Sequence, residues 1–296
     1  MLSILIPNYN FNVSTFVSDL HQQASQTNVD FEIIIIDDAS KILFKENENL
    51  NNLSNVKYIL NAQNIGRSQN RNKLAELARF DYLLFIDCDA AIKDPNFINN
   101  YIVHCKEDIV ICGGTAYYND PPKNKSQYLR WWYGKNREEK PANERNKNPN
   151  SAFSTFNFLI AKLTFELIGF RILEKSYGHE DTLFGYELKK QGIAINHIDN
   201  QLIHLGLDDT DTFLKKTEQG IFNLKYIYKE FKNDSDFIQD ITLLRFYNVF
   251  KKARLTFLIK LPFYLLKNKI RKSILLGNKN LILFDFYKLG YFLFVK

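Results

Sequence analysis

The sequence predicts an α/β fold, with a mostly parallel twisted sheet flanked by helices and a C-terminal helical appendage. Five short runs in the first half are continuously apolar, which is typical of strands buried on both faces. Helical patterns lie between them, so strand and helix alternate as in a doubly wound sheet. The strand runs are residues 3–6, 32–36, 56–60, 82–86 and 109–112, and the helical patterns are residues 13–26, 68–79 and 95–106.

Local signals define the ends of two of these helices. Ser68 is expected to be the N-cap of the second, and Pro95 is expected in the first turn of the third. Further along the chain we expect a strand at residues 152–161, a helix at residues 180–191 and a strand at residues 193–197. The polar segment 117–151 is predicted to be an irregular loop that serves as a lid, a binding loop or a mobile segment. Its Trp131-Trp132 pair could stack on a sugar, meet a membrane interface or pack the loop onto the body.

The composition is that of a globular protein, and cysteine is rare. The chain has 296 residues, 45% of them apolar, with only 12 Gly and 7 Pro. Its three cysteines, Cys88, Cys105 and Cys112, have no CxxC spacing, which disfavours a disulfide framework or a zinc site and fits a reducing compartment. The N-terminus lacks a signal-peptide pattern, and no run approaches the roughly 20 apolar residues of a spanning helix. We therefore expect a cytoplasmic protein.

The charge is distributed unevenly. Of the net charge of +6, residues 241–296 contribute +11, from twelve Lys or Arg and a single acid, Asp285, so residues 1–240 sum to −5. Such a basic tail predicts an anionic partner. Aromatic and leucine side chains interleaved with the cations favour helices on a membrane surface, at the inner face of the cytoplasmic membrane, with a homodimer surface as the alternative. No nucleic-acid-binding module is recognisable. The helices of this tail are expected from residue 236 onwards, broken at Pro262 and Gly277.

Polar clusters follow four of the predicted strands. They are residues 7–10, 37–38, 61–66 and 87–89. Because ligands of open α/β sheets bind at the carboxyl ends of the strands, these clusters are expected to line one ligand-binding edge.

The triplet Asp87-Cys88-Asp89 is one of three Asp-x-Asp triplets, the others being residues 209–211 and 234–236. Only the first directly follows an apolar strand; helix capping and solvation explain the other two. Two close carboxylates repel each other unless a cation joins them. Mg²⁺ or Mn²⁺, held by one or two carboxylates with phosphate oxygens, is the cation that suits this position.

Two neighbouring segments are compatible with a nucleotide. Asp38 could bond to a base or ribose, although an ordinary turn is the simpler explanation of residues 37–40. Gly66 permits close backbone approach, and Arg67 and Arg71 at a helix N-terminus favour anionic groups. The alternative is a capped surface helix with solvated arginines.

Taken in order, residues 3–10, 36–40, Asn64-x-Gly66 with Arg71-Asn72, and 87–89 resemble family 2 of the inverting glycosyltransferases, which has the GT-A fold. The resemblance covers about residues 1–210. It implies a GT-A domain at residues 1–215, with a nucleotide-sugar half at about 1–112 and an acceptor half at about 113–215, and leaves 216–296 as the helical region. The implied nucleotide-sugar roles are Pro7 and Tyr9 around the nucleoside, Asp38 on the base, Asn64, Gly66 and Arg71 near the nucleotide, and Asp87 near the ribose. Asp89 is the implied metal ligand, with Asp87 beside it.

The resemblance also implies an acidic pair at the start of a later helix. Here Glu180 and Asp181 stand in that place. An inverting transfer needs a carboxylate as general base, which typically contributes roughly 10²–10⁴-fold, so Asp181 is the implied base and Glu180 a positioning group. Alternatively, both acids simply complement the helix dipole, worth about 0.3–1 kcal/mol. His204 matches the late histidine that some members of the superfamily use as a further metal ligand, or it is a hydrogen-bonded core residue.

The sequence thus predicts an inverting glycosyltransferase dependent on Mg²⁺ or Mn²⁺. The donor is a nucleoside diphosphate sugar, with a UDP-sugar favoured, and the acceptor is a saccharide or a lipid-linked molecule in surface polysaccharide or glycolipid assembly. One alternative is a nucleotidyltransferase acting on sugar phosphates, although a Gly- and Arg/Lys-rich loop would then replace Pro7-Asn8-Tyr9-Asn10. The other is a non-catalytic membrane-associated adaptor.

Overall fold

The structure is a computed structural model that describes residues 1–105, 109–172 and 178–295. The chain divides into two compact units. The sheet unit comprises Met1–Tyr117, Glu139–Ile172 and Leu183–Gly206, and the helical unit comprises Tyr118–Glu138, Leu173–Thr182 and Leu207–Lys296. The domain boundary near residue 215 stays a prediction.

A seven-stranded sheet forms the centre of the sheet unit. Its order is β3-β2-β1-β4-β8-β6-β9, and β8 alone runs antiparallel to its neighbours, which confirms the prediction of a mostly parallel sheet. Three shorter strands form a second sheet in the order β5-β10-β7. The strands are β1 (Leu2–Asn8), β2 (Phe31–Asp37), β3 (Val56–Leu60), β4 (Tyr82–Ile86), β5 (Ala90–Ala91), β6 (Ile109–Cys112), β7 (Thr115–Ala116), β8 (Asn157–Ala161), β9 (Ala194–His197) and β10 (Leu202–His204).

The large sheet is covered on both faces, as its continuous apolar runs predict. Ile4 and Ile33 pack on one face with side chains of the first helix, and Leu5 and Ile34 pack on the other with Leu74. The helices of the first two-thirds of the chain are α1 (Ser14–Ser25), α2 (Lys45–Glu48), α3 (Arg67–Leu77), α4 (Phe97–Ile102), α5 (Tyr128–Tyr133), α6 (Ala142–Arg145), α7 (Lys162–Ile168) and α8 (Glu180–Lys190).

Two predicted helix starts are wrong. Helix α3 begins at Arg67 with Gly66 as its N-cap, so Ser68 does not cap it. The amides that precede the helix are instead taken by the carboxylate of Asp38. Helix α4 begins at Phe97, because Pro95 lies in a turn that the bond from the Phe97 amide to the Asp94 carbonyl closes. The predicted end of that helix at residue 106 lies outside the described residues.

The predicted loop at residues 117–151 is partly helical, since α5 and α6 lie within it. The loop prediction is therefore wrong for this part of the segment. In the helical unit, Trp131 is buried and its Nε1 donates to the Tyr118 carbonyl at 2.8 Å. Trp131 thus packs the segment, which leaves Trp132 as the candidate for a contact outside the chain.

The C-terminal region is helical, as predicted. It contains α9 (Thr210–Phe231), α10 (Ser235–Asp240), α11 (Thr242–Lys252), α12 (Phe257–Leu275) and α13 (Leu281–Phe294). The predicted break at Pro262 is wrong, because α12 continues through it. The ring removes a hydrogen bond close to the helix N-terminus, while burial of Ile259 and Phe263 on either side holds the helix together. Gly277, at φ +91°, does follow the helix end.

Within the described ranges, none of the helices has the length and apolar character needed to cross a bilayer. The buried core of the helical unit joins α5, α9, α12 and α13. Its members are Leu129, Leu214, Phe263, Ile270, Ile274, Phe284 and Tyr287.

Candidate active site

The carboxyl ends of β1, β2 and β3 are tied together by Asp37. Its Oδ2 accepts hydrogen bonds from Asn8 Nδ2 at 2.9 Å and from the Tyr58 hydroxyl at 2.7 Å, and its Oδ1 accepts from the Ser40 amide at 2.8 Å. Asp37 is buried. This carboxylate therefore organises the edge of the sheet and does not face a ligand.

Asp38 organises the loop that leads into α3. Its Oδ1 accepts from Asn61 Nδ2 at 3.1 Å and from the Ile65 amide at 2.9 Å, and its Oδ2 accepts from the Gly66 amide at 2.9 Å. Asn64 Nδ2 donates to the Asp38 backbone carbonyl at 2.8 Å. The structure thus brings Asp38, Asn64 and Gly66 together as predicted, and their contact with a nucleotide stays a prediction.

Tyr9 lies just beyond the end of β1 with 43% of its surface exposed, and Pro7 is half-buried beside it. Asn10 has φ +54°, and its Oδ1 accepts from the Lys41 amide at 2.8 Å. That bond ties the loop after β1 to the loop after β2. The ring of Tyr9 is therefore presented to solvent from a fixed backbone, as a nucleoside contact requires.

Arg71 and Asp87 form a close ion pair. Arg71 Nη2 lies 2.6 Å from Asp87 Oδ1, and the guanidinium, only 2% exposed, also packs over the ring of Phe170 at 5.4 Å. Burial raises the pKa of Asp87, and the charge of Arg71 partly offsets that effect. The Asp87 amide donates to the Phe156 carbonyl at 3.0 Å. Arg71 therefore fixes the position of Asp87 at the end of β4.

Asp89 meets His204 where β5 pairs with β10. In that antiparallel pair His204 lies opposite Ala90, which places its Nε2 3.2 Å from Asp89 Oδ2. The imidazole is held edge-on against Tyr117 and Phe156, with ring centroids 5.6 and 5.4 Å away. Burial acts to raise the pKa of Asp89, but the hydrogen bond and charge of His204 outweigh it, so the pKa lies below its usual value.

Gly206 is a site residue that the sequence analysis missed. A Cβ at this position would lie 1.9 Å from Asp89 Oδ2 and 2.8 Å from its Cγ. The Leu205 amide also donates to the Asp89 carbonyl at 2.8 Å. The chain after β10 therefore runs directly against Asp89. The available signal was a glycine two residues after the candidate ligand His204.

The sequence profile described as "Glycosyl transferase family 2" matches residues 3–164, which is more than half of the chain. The chain belongs to glycosyl transferase family 2. This membership confirms the resemblance and, with the mostly parallel sheet, the GT-A type of fold. The matched range contains the candidate nucleotide-sugar residues from Pro7 to Asp89.

The chain is also similar to individual proteins. A Haemophilus influenzae protein described as an "Uncharacterized glycosyltransferase" is 30% identical over 138 residues, which cover 41% of this chain and 44% of that protein. The match thus spans less than half of the relative's length. Two crystal structures of S. aureus TarS are similar at 19% and 18% identity, with TM-scores of 0.48 and 0.47. Both matches cover 74% of this chain. The first covers 64% of a TarS structure of residues 1–349 in complex with UDP, and the second covers 39% of the other TarS chain.

The Asp89 carboxylate is a ligand of the kind that a hard divalent cation prefers, and the His204 imidazole lies beside it. No group of three or more His, Cys, Asp or Glu residues placed to hold a metal occurs in the part of the chain that the structure describes. Asp89 and His204 could supply two ligands, and Mg²⁺ or Mn²⁺ usually takes few protein ligands beside phosphate and water. His204 Nδ1 is buried with no hydrogen-bond partner among the described residues. Burial raises the pKa of the Cys88 thiol, and a thiolate is a soft ligand, unlike the oxygen ligands that suit Mg²⁺ and Mn²⁺.

Glu180 and Asp181 lie in the helical unit, in the first turn of α8. Glu180 Oε2 accepts from the Gly178 amide at 3.0 Å, and Asp181 Oδ1 accepts from the Thr182 amide at 2.7 Å. The two residues before this acidic pair have positive φ angles, +105° at Gly178 and +71° at His179. This strained turn fixes the start of the helix. The catalytic roles of both acids stay predictions.

The other two Asp-x-Asp triplets are helix caps, as the sequence suggested. Asp209 is the N-cap of α9 and accepts from the Thr212 amide at 2.9 Å. Asp234 is the N-cap of α10 and accepts from the amides of Asp236 and Phe237 at 3.1 Å. Capping accounts for their sequence spacing without any ligand.

A buried Arg145–His197 pair supports the second half of the sheet unit. Arg145 Nη1 donates to His197 Nδ1 at 2.7 Å, and His197 Nε2 donates to the Pro149 carbonyl at 3.0 Å. Arg145 also donates to the carbonyls of Cys112, Gly113, Ile198 and Lys140. Burial lowers the pKa of His197 to about 4, and the neighbouring guanidinium charge acts in the same direction. His197 is therefore a neutral structural residue.

Proposed function

We propose that the protein is a metal-dependent inverting glycosyltransferase that moves a sugar from a nucleoside diphosphate sugar, a UDP-sugar in particular, to an acceptor hydroxyl. Family membership supports glycosyl transfer. The close approach of Asp89 and His204 at the carboxyl edge of the sheet is the observation that supports metal dependence. Mg²⁺ and Mn²⁺ both suit such ligands in the presence of a diphosphate.

The order of the strands supports the proposed donor site. β3, β2, β1 and β4 are consecutive and parallel, so the loops after them lie side by side at one edge. We assign the nucleoside to Pro7 and Tyr9, the base to Asp38 with the Asn64–Gly66 turn, and the ribose to Asp87. Arg71 acts by holding Asp87 in place.

The diphosphate is assigned to the neighbourhood of Asp89 and His204. These two side chains would hold the cation, with Asp87 beside them. When bound there, a divalent cation would neutralise charge that develops on the leaving nucleoside diphosphate. Gly206 keeps the space around the Asp89 carboxylate open, since any side chain would enter it.

The acceptor is assigned to the second half of the chain, with Asp181 as general base. The acceptor oxygen attacks the anomeric carbon as its proton moves to the Asp181 carboxylate, and the bond from that carbon to the diphosphate oxygen breaks. A single displacement of this kind inverts the configuration of the anomeric carbon. The Glu180 carboxylate accepts a hydrogen bond from the Gly178 amide. Glu180 thereby positions the turn that presents Asp181.

A saccharide or a lipid-linked molecule is the proposed acceptor, in surface polysaccharide or glycolipid assembly. The basic and apolar character of the C-terminal helices supports an acceptor held at a membrane. A cytoplasmic location, where nucleotide sugars are made and thiols stay reduced, fits the three free cysteines.

A panel of nucleoside diphosphate sugars tests this proposal. We expect slow hydrolysis of one donor in the presence of Mn²⁺ or Mg²⁺, measured as released nucleoside diphosphate and abolished by a chelator. Hydrolysis that continues undiminished with the chelator would contradict metal dependence. Release of pyrophosphate from a nucleoside triphosphate and a sugar phosphate, with no donor hydrolysed, would indicate a nucleotidyltransferase instead.

A further inference from the structure

The first half of α12 presents an apolar face to solvent. Leu261, Tyr264 and Leu265 are 59%, 61% and 67% exposed. On the opposite side of the same helix Ile259 and Phe263 are buried, and Phe263 belongs to the core of the helical unit. At 3.6 residues per turn these two sets lie on opposite sides of the helix. The exposed side chains are therefore not part of this unit's core.

Large apolar side chains are also exposed on α11 and at the start of α12. Phe246 and Val249, one turn apart on α11, are 54% and 60% exposed. Phe257 and Leu258, the first two residues of α12, are 58% and 51% exposed. Soluble proteins commonly expose single apolar side chains, but a concentration of large ones marks an interaction surface.

The apolar residues stand among cations without any acid. From residue 242 to residue 275 the sequence has nine Lys or Arg and no Asp or Glu. Arg245, Lys252, Arg254 and Lys260 are exposed, and none of these four forms an ion pair within the described ranges. Their charge is therefore available to an external anionic partner.

The positive charge of this surface favours a bilayer over a second copy of the chain. A second copy of this chain would bring the same cations against each other, which opposes association. A bilayer that contains anionic phospholipid attracts them, and its interface accepts Leu, Phe and Tyr side chains. Since no described helix can span a bilayer, such binding takes place at the surface.

We propose that α11 and the first half of α12 form a docking surface for an anionic phospholipid bilayer. Leu261 and Leu265 enter the boundary between headgroups and acyl chains, while Arg245, Lys252, Arg254 and Lys260 meet the lipid phosphates. This surface goes beyond the transfer reaction, because it holds the enzyme beside acceptors that are themselves anchored in lipid.

Vesicle flotation with the full chain tests the proposal. Phosphatidylcholine vesicles are compared with vesicles of phosphatidylcholine and phosphatidylglycerol. The variant L261S/L265S removes apolar contact without changing charge, and K252Q/R254Q/K260Q removes three cations. Matched controls are L163S/L167S on α7, where both leucines are more than two-thirds exposed, and K45Q/K57Q/K93Q at exposed lysines of the sheet unit.

We expect the wild type to float with the anionic vesicles only, and to be released by raised salt. The loss of three cations should lower the partition coefficient on the order of 100-fold, and L261S/L265S should lower it at least about 10-fold. Both controls should float like the wild type. Equal flotation of wild type and L261S/L265S, or no flotation of the wild type, would overturn the proposal. So would a wild-type dimer in gel filtration that L261S/L265S converts to monomer.

Discussion

Asp89 Oδ2 and His204 Nε2 lie 3.2 Å apart, although the two residues belong to distant parts of the sequence. The pairing of two very short strands, β5 and β10, produces this contact. An imidazole and a carboxylate so arranged could give a divalent cation two ligands, and a donor diphosphate with water would supply the others.

Replacing His204 tests whether this contact serves a metal. We expect His204→Ala to raise the Mn²⁺ concentration that half-activates donor hydrolysis by at least about 10-fold, because a ligand or its close neighbour is lost. The measurement is hydrolysis rate against metal concentration. His104→Ala, at a half-buried histidine of the sheet unit, is the control. An unchanged metal requirement in His204→Ala would remove histidine from the site.

Gly206 should be intolerant of a side chain for a local steric reason. In Gly206→Ala the new Cβ would displace the Asp89 carboxylate, and misplacement by about 1 Å can cost on the order of 100-fold in rate. We expect such a loss in kcat/KM with the melting temperature little changed. Gly220→Ala is the matched control, since a Cβ at that helical glycine would meet nothing within 4 Å. Full activity of Gly206→Ala would show that Asp89 can move without consequence.

The Arg71–Asp87 pair should contribute strongly to stability. Removing one partner of a buried ion pair typically costs about 3–5 kcal/mol, and we expect Arg71→Met to fall near the lower figure because Asp87 is a quarter exposed. A double-mutant cycle with Asp87→Asn, measured by urea unfolding, isolates the coupling. If the two changes were simply additive, the ion pair would not be what holds Asp87.

His197 should make stability depend on pH in a defined window. Its pKa is lowered to about 4 in the folded state, so between pH 6.5 and 4 the unfolded chain binds a proton that the folded chain does not. The contribution of neutral His197 to the free energy of unfolding is therefore fully present above pH 6.5. It declines as the pH falls, by about 1.4 kcal/mol per pH unit and by a few kcal/mol in all. His179, with its pKa also lowered to about 4 by burial, acts in the same direction.

The measurement is urea unfolding of the wild type and His197→Asn at several pH values. We expect the variant to be less stable at pH 7 and to lose less stability between pH 6.5 and 5, where most carboxylates are still ionised. Equal slopes for the two proteins in that range would mean that His197 is not the residue responsible.

Strands β3, β4 and β6 were predicted to the residue. For β4 and β6, in the interior of the sheet, continuous apolar runs covered on both faces leave little freedom, whereas β3 is an edge strand with Lys57 and Leu60 exposed. Strands β5 and β7 have two residues each and give no periodic signal. The start of α3 depended on a carboxylate far along the sequence, Asp38, which local propensity cannot include. The same holds for the contact of Gly206 with Asp89, which exists only after β10 pairs with β5.

The central claim is most directly tested by comparing donor hydrolysis in Asp89→Asn and Asp236→Asn. Both residues are the third position of an Asp-x-Asp triplet, but Asp236 is an exposed residue in the first turn of α10. We predict that Asp89→Asn nearly abolishes metal-dependent hydrolysis of the donor that the wild type accepts, while Asp236→Asn retains it and both variants keep the wild-type melting temperature. Wild-type activity in Asp89→Asn would contradict the account.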